Sequence, residues 1–406
     1  MGCAIGAWKV LEAQGPPELA VELLQPLLDH VYGPERPELV AALSSALGAC
    51  GRLQEGLDWL DRELADDPDP AVRALYLERR GGRLFDLGRL PEARSCLEEA
   101  VSLYQQLSDA RGEADSVGVL GVVLHRCGDV DAAEACYKTA IRLQDAVGNT
   151  TRKAASLTNL GSLRLEQGDR RARGLLEEAV RLYRQDGSRR LECVALVSLA
   201  LLLGRDGQLD HARRVLVRCV RLAERVGATR TLAIALNNLG MLQHAQGDPA
   251  AGRTFEGALA AVARCRDPRS EAHIHRSWGH WAFESGDPVT GRRHLDRALK
   301  MAEEHDVDAL APLVRALLAW LELSEGDTDA ARALLAVADA EMVGSKRADV
   351  LLHIELVWCA WHWGTGNTDE GDVRFDEASV GLQRLGCREN SLLDRAARRL
   401  RARFRS

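Results

Sequence analysis

Hydrophobic residues recur along this chain at intervals of three and four, the spacing that places side chains on one face of an α-helix. Leu157, Leu160 and Leu163 form one such stripe. Between the helical segments, a glycine followed by a polar residue interrupts the pattern at regular distances. The chain is therefore predicted to consist of helices joined by short turns, without a sheet.

These interrupting glycines mark an internal repeat that runs through the whole sequence. Successive markers lie 36 to 40 residues apart, which makes ten units. A fixed period in this range is typical of proteins built from stacked repeats, in which each unit buries its hydrophobic face against its neighbours. The marker glycines are Gly15, Gly51, Gly88, Gly128, Gly168, Gly207, Gly247, Gly286, Gly326 and Gly366.

Small residues at fixed places within each unit predict a close crossing of two helices. A second glycine stands seven residues before the marker in five units, as at Gly121 and Gly279, and small residues follow the marker at five and twelve residues, as at Ala93 and Ala100. Where Asp follows the marker, the glycine suits the left-handed end of one helix and the Asp side chain accepts N–H groups at the start of the next. Each unit is predicted to be a helix, a turn and a second helix.

The sequence of these units resembles the tetratricopeptide repeat. The stretches NLGSLRLEQGD (159–169) and NLGMLQHAQGD (238–248) carry the Leu-Gly pair of the family's first helix and the glycine before its turn. The period exceeds the standard 34 residues. The chain therefore resembles the longer-repeat branch of the family, as in kinesin light chains and the helical domains of maltose-regulator-type bacterial activators.

This resemblance implies an all-α fold, a right-handed superhelical α-solenoid of about ten antiparallel helix pairs. The repeats are expected to occupy residues 1–390, and a basic helix over 391–406 is expected to cap them. The first two units diverge most: Trp8 and Ser44 stand where the glycine of the first helix belongs, and Glu63 replaces the second small residue.

Composition narrows the function. The chain is 46% hydrophobic with no apolar run long enough for a membrane span, and its start lacks a secretory signal, so we expect a cytoplasmic protein. The ten cysteines include no C-x-x-C pair, which favours reduced thiols. Arginine greatly outnumbers lysine, which favours a bacterial source with a GC-rich genome.

Catalysis and cofactors are not expected. The sequence contains no phosphate-binding loop, dinucleotide fingerprint, H-E-x-x-H or G-x-S-x-G motif. Cysteine, histidine and carboxylate spacing favours no metal site. The formal net charge of −7 argues against a general nucleic-acid binder.

In tetratricopeptide repeats the first helix of each pair lines a concave groove, and the resemblance identifies its positions here. Asn159 and Asn238 match an asparagine that in the family often hydrogen-bonds the backbone of a bound extended peptide. An amide both donates and accepts, so it can hold a peptide without reading its side chains. The candidate groove residues are Thr158, Asn159, Ser162, Asn237, Asn238, Met241, His244, His273, Arg276, His280 and Trp320.

The expected function is a non-catalytic scaffold or sensor that binds a protein or peptide segment in this groove, in bacterial signalling or regulation. Two alternatives stay open. Most tryptophans and histidines lie after residue 270, where a small molecule could bind and gate an attached effector. A stripe of Arg214, Arg218, Arg221 and Arg225 on one helix face could contact an acidic partner or nucleic acid, or could simply be solvated.

Overall fold

The computed structural model describes residues 17–405, except residues 29, 266, 306, 308 and 346. Over this range the regular structure is entirely helical, which confirms the all-α prediction. The marker Gly15 and the predicted exception Trp8 lie outside the described residues. The twenty helices in the described part are α1 (Pro17–Leu28), α2 (Arg36–Ala49), α3 (Leu53–Ala65), α4 (Pro70–Asp86), α5 (Leu90–Gln106), α6 (Ala110–Arg126), α7 (Val130–Ala146), α8 (Thr150–Glu166), α9 (Ala172–Asp186), α10 (Arg189–Arg205), α11 (Leu209–Val226), α12 (Thr229–Ala245), α13 (Ala251–Cys265), α14 (Pro268–Glu284), α15 (Pro288–Glu304), α16 (Leu310–Glu325), α17 (Thr328–Glu341), α18 (Ala348–Gly364), α19 (Thr368–Arg384) and α20 (Leu392–Phe404).

The helices pack as sequential antiparallel pairs, as predicted for the repeat units. The turns between paired helices have the predicted chemistry. Gly128 and Gly286 have positive φ angles of 78° and 94°, a conformation that glycine adopts without strain. The following Asp129 and Asp287 accept backbone N–H groups at the start of α7 and α15.

The predicted close crossings are present as well. A Cβ atom added at Gly121 would lie 2.8 Å from the ring of Tyr137, and one at Gly279 would lie 2.8 Å from the side chain of Leu295. Both distances are shorter than a carbon–carbon contact allows. The glycine of the first helix is therefore required by the approach of the second helix.

The chain forms two compact units, of which the first comprises the described residues up to Leu163 and Glu177–Ser188. Its divergent beginning packs in the same way as the later repeats. Ser44 is fully buried, and its backbone oxygen would lie 3.1 Å from a Cβ at Gly56, so the small residue that permits the crossing is on the second helix. Glu63 forms an ion pair of 2.7 Å with Arg36.

The second unit comprises Arg164–Leu176 and the residues from Arg189 onward. Within it the first helices of successive pairs, α10, α12, α14, α16 and α18, contact one another in order. We call this row of five helices the groove wall. The second helices pack behind it, and a hydrophobic core of the unit extends from Ala272 to Leu400. In the described part of the chain, no helix is both long and apolar enough to cross a membrane.

Candidate functional site

The groove wall brings together the predicted residues of three helices. The sulfur of Met241 on α12 lies 3.8 Å from a guanidinium nitrogen of Arg276 on α14. Further along, the ring of His280 lies 5.0 Å from that of His244 on α12 and 5.1 Å from that of Trp320 on α16. The spacings of three residues between Met241 and His244 and of four residues between Arg276 and His280 place these side chains on one face of each helix.

The C-terminal helix α20 lies against part of this wall. It contacts α18 of the last repeat, where a capping helix would pack, and it also contacts α10 and α12. Arg395 donates a hydrogen bond of 3.3 Å to the carbonyl of Ala245, and Arg399 forms an ion pair of 3.3 Å with Glu284. This placement was not predicted from the sequence, although the amphipathic pattern of α20 shows that the helix needs a surface to cover.

Beneath α20 a small apolar cavity separates the helix from the wall. Trp320, predicted to anchor a partner side chain, is only 3% exposed and packs edge-on against Phe283. Its indole N–H has no hydrogen-bond partner in the described structure. Ala396 and Leu400 of α20 line the same cavity, so a partner would reach Trp320 only after α20 moved away.

A buried acid–base cluster lies at the edge of α20. Nε2 of His244 approaches Oε2 of Glu284 to 2.5 Å, and Nε2 of His280 lies 3.5 Å from the same oxygen. Burial opposes ionisation of Glu284, but His280, His244 and Arg399 outweigh it and lower the pKa of the carboxyl to about 2. Burial lowers the pKa of His280 to about 3, so its imidazole is neutral at pH 7.

Beyond α20 the wall contains Asn237, Met241, His273 and Arg276, which we call the open patch after the exposed His273 at its rim. Arg276 donates a hydrogen bond of 3.1 Å to the hydroxyl of Ser277, and its Nε atom is buried without a partner in the described structure. Oδ1 of Asn237 also lacks a partner, and that residue is 8% exposed. His273 keeps an exposed face at the rim, while desolvation and the charge of Arg276 lower its pKa to about 4.

The remaining candidates lie on α8 and on α12. Thr158 on α8 is buried, and its hydroxyl donates to the carbonyl of Ala154 in its own helix. Its side chain therefore has little surface that a partner could contact. Asn159 and Ser162 of α8 and Asn238 of α12 are half-buried. Their role in binding stays a prediction.

The predicted arginine stripe lies on α11, a second helix, and not on the groove wall. Arg214, Arg221 and Arg225 are exposed. Arg218 forms an ion pair of 2.5 Å with the fully buried Glu192 of α10 and so contributes to the packing of its own pair. The stripe lines an open surface concavity, and its proposed contact with an acidic partner or nucleic acid stays a prediction.

A second pair of histidines joins α14 to α15. Nδ1 of His275 lies 2.7 Å from Nδ1 of His294, and Trp278 stacks on the His294 ring. One ring nitrogen must donate and the other accept, so the two imidazoles cannot both be protonated. Burial lowers the pKa of both to about 4, so both are neutral at pH 7. Among the described residues, no three His, Cys, Asp or Glu side chains are placed to hold a metal ion together.

Comparison with known proteins identifies the repeat. Tetratricopeptide-repeat models match residues 74–110 and 114–185, and a further one matches 194–218, 233–255 and 312–336. No curated protein matches the sequence.

Solved structures with a similar fold extend along most of the chain. A Rap protein complexed with competence and sporulation factor is 14% identical over 95% of this chain and 98% of its own, with a TM-score of 0.61. The apo quorum sensor NprR from B. thuringiensis is 11% identical over 84% of this chain and 98% of its own, with a TM-score of 0.61. The Rap conjugation gene regulator of the plasmid pLS20, in complex with the Phr* peptide, is 13% identical over 85% and 95%, with a TM-score of 0.59. At these identities the likeness shows the fold alone.

Proposed function

From the premise that the chain is a tetratricopeptide-repeat protein, we propose that it is a non-catalytic regulator that binds a peptide or protein segment on its groove wall. The structurally similar Rap proteins were solved with competence and sporulation factor and with the Phr* peptide. The similarity of these structures to this chain supports the proposal, because it gives the chain a fold that suits peptide binding. The choice of site depends on this chain's own residues.

One observation carries the proposal: the open patch contains polar atoms that the protein itself does not satisfy. Oδ1 of Asn237 and Nε of Arg276 are buried without partners in the described structure. Buried polar groups are nearly always hydrogen-bonded, and each unsatisfied one costs about 1–3 kcal/mol. An extended chain segment supplies both N–H donors and C=O acceptors, so it would satisfy the two groups together.

The neighbouring part of the wall already holds a segment of polypeptide. There α20 inserts Ala396 and Leu400 against Trp320 and places Arg399 beside Glu284. The groove wall therefore accepts small apolar side chains flanked by charge. A bound segment in the open patch would continue along the same surface.

Selection from a random peptide library displayed on phage tests this proposal with the full chain as bait. Binders are expected to lose affinity for the Met241→Arg variant, because the long charged side chain would obstruct the open patch. The matched control is Val289→Arg on α15, where the native side chain is 79% exposed and away from the groove wall. If no peptide is selected, or if Met241→Arg binds the selected peptides as well as the control does, the proposed function is wrong.

A further inference from the structure

The segment between α19 and α20 lies against the turns that follow α8 and α10. All of these residues belong to the second unit. A Cβ atom added at Gly386 would lie 2.7 Å from the Cα atom of Gly168, and one at Gly207 would overlap the backbone oxygen of Glu389. Glycine is the residue that lets two backbone segments approach this closely. The connection between α19 and α20 is therefore held against the first two turns of the unit.

Two hydrogen bonds fix Arg205 in this contact. Its Nη1 atom donates to the carbonyl of Leu385 at 2.9 Å, and its own carbonyl accepts from the backbone N–H of Arg388 at 3.0 Å. The Nε and Nη2 atoms of Arg205 have no hydrogen-bond partner among the described residues, and no described carboxylate lies within ion-pair distance of them. Burial lowers the pKa of this guanidinium, which nevertheless stays charged at pH 7. Arg205 is thus a half-buried cation that the backbone positions and no acid neutralises.

A cavity of about 260 Å³ lies beside Arg205 and is lined by arginines from three segments. Arg170 follows α8, Arg205 ends α10 and Arg388 follows α19. The guanidinium of Arg170 is exposed and forms neither an ion pair nor a hydrogen bond with a described residue. Arg388 forms one long ion pair, in which its Nε atom lies 3.5 Å from Oδ1 of Asp206. The cavity therefore brings together two arginines without an acidic partner and a third that is weakly paired.

The other titratable groups of the cavity leave this positive charge in place. Asp169 forms an ion pair of 2.7 Å with Arg171 and a further one with Arg164. Hydrogen bonds from these two arginines hold the pKa of the Asp169 carboxyl well below its usual range, and their charges balance its own. Cys387 also lines the cavity, and burial raises the pKa of its thiol, so the thiol is neutral at pH 7.

The charges that remain favour a doubly charged anion. Asp206 offsets Arg388, which leaves Arg170 and Arg205. Guanidinium groups present parallel N–H donors that match the oxygens of a phosphate, and a phosphate monoester carries about −1.5 to −2 charge at pH 7. A single carboxylate would leave one of the two positive charges unbalanced. The volume is slightly below the roughly 300 Å³ at which pockets for drug-sized ligands begin, so it suits a small molecule.

We propose that Arg170, Arg205 and Arg388 form a binding site for a phosphate group, either free or carried by a small molecule. The phosphate oxygens accept hydrogen bonds from guanidinium groups of three separate segments. The ligand thereby ties the connection between α19 and α20 to the turn after α8. The site shares no residue with the open patch and does not depend on the proposed function.

Isothermal titration calorimetry with inorganic phosphate tests the site, with the full chain in chloride buffer at constant ionic strength. Arg170→Gln is the decisive variant, because the native side chain is exposed and its loss leaves the packing intact. It is expected to raise the Kd about tenfold or more, as for the loss of a hydrogen bond between charged groups. The matched control Arg221→Gln removes another exposed, unpaired arginine on α11 and should bind like the wild type. Equal binding by the wild type and Arg170→Gln, or none by the wild type, overturns the site.

Hydrogen exchange followed by mass spectrometry tests where the phosphate binds. Low millimolar phosphate is expected to increase the protection of residues 166–171 and 385–391 in the wild type and in Arg221→Gln, but not in Arg170→Gln. The low concentration matters because concentrated phosphate stabilises folded proteins in general. Increased protection confined to residues 209–226 would place the anion on the arginine stripe of α11 and would overturn the proposal.

A comparison of two ligands identifies the source of the phosphate. Glycerol phosphate is a small monoester, and the Kd of the wild type for it is compared with the Kd for inorganic phosphate. Binding of the ester at least as tightly as inorganic phosphate shows that the cavity takes a phosphorylated small molecule. Binding of inorganic phosphate with rejection of the ester shows a site for free phosphate. If neither binds, the proposal fails, whatever the outcome of the peptide selection.

Discussion

Two helix pairs of the same design, α6–α7 and α14–α15, carry different side chains at equivalent positions. Both have the crossing glycine, Gly121 or Gly279, and an Asp at the start of the second helix. Three residues before the crossing glycine, α6 has Gly118 and α14 has Arg276. The repeat thus keeps the residues that hold two helices together and leaves the groove positions free to vary.

The same contrast appears six residues before the crossing glycine. On α6 this position is Asp115, which accepts a hydrogen bond of 2.7 Å from Gln144 of its own pair. On α14 it is His273, which has no side-chain hydrogen bond in the described structure and keeps an exposed face. The Asp115 side chain on α6 is satisfied internally, whereas the His273 side chain on α14 is not. The two repeats therefore differ at this position although they share the residues of the helix crossing.

The largest expected effect concerns what the two pairs share. Gly121→Ala and Gly279→Ala should each lower the free energy of unfolding by about 1–3 kcal/mol, because the added Cβ overlaps Tyr137 or Leu295 and, at Gly279, also the carbonyl of Gly291 at 3.0 Å. Chemical denaturation measures the effect. In the matched control Gly118→Ala, the Cβ would make only ordinary contacts of 3.6 Å or more. That variant should be neutral or gain up to about 1 kcal/mol, and a loss equal to that of Gly121→Ala would refute the crossing geometry.

The second prediction is that acid destabilises α14–α15. Burial lowers the pKa of His275 and of His294 to about 4, whereas the unfolded chain protonates histidine near pH 6.5. Because the unfolded state binds more protons, the stability is complete above pH 6.5 and is lost as the pH falls towards 4. We expect a loss of about 1–3 kcal/mol between pH 7 and 5.

Hydrogen exchange followed by mass spectrometry locates that loss. Protection of residues 268–304 should fall between pH 7 and 5 after correction for the intrinsic exchange rate. In the double variant His275→Phe and His294→Leu, the fall should be smaller because two titrating groups are gone. Unchanged protection of the wild type at pH 5 would contradict the assignment of neutral, buried imidazoles.

The third prediction concerns the stability cost of Arg276. Arg276→Met should raise the free energy of unfolding at pH 7 by about 1 kcal/mol, because it removes a desolvated charge that forms no ion pair with a described residue and keeps an apolar side chain of similar length. Arg221→Met, at an exposed position of α11, should change stability by less than about 0.5 kcal/mol. Urea denaturation compares the two. A clear loss of stability in Arg276→Met would mean that the guanidinium has a structural partner.

The smallest effect is expected for Asp115→Asn on α6. The amide oxygen can still accept the hydrogen bond from Gln144, and the contact with Arg152 is long, at 3.8 Å. The change in unfolding free energy should stay below about 0.5 kcal/mol. His273→Asn is the counterpart on α14. It should change the unfolding free energy equally little, but it should lower the affinity for any peptide that occupies the open patch. A large loss of stability in Asp115→Asn would contradict the expectation that this position tolerates the change.

Much of the candidate site followed from the repeat register. The seven-residue spacing of His273 and His280 placed both on the groove wall, and the alignment of units placed Asn237 and Met241 beside them. Thr158 stands three residues before Gly161, as Asn237 stands before Gly240, but its hydroxyl bonds to its own helix and its side chain is buried. Register determines the face of a helix but not the rotamer or the local hydrogen bond.

The sequence by itself determined the helices, their turns and their pairing, because these depend on residues that are at most about 40 positions apart and on the rigid geometry of the helix. Only the tertiary structure decided that α20 lies against the groove wall, through contacts such as Arg395 with Ala245, 150 residues away. It also decided that, within the described part of the chain, Arg276 has no carboxylate in ion-pair contact while Arg315 has two. Such pairings depend on which of many similar arginines and carboxylates meet in space, and a repeating pattern does not distinguish them.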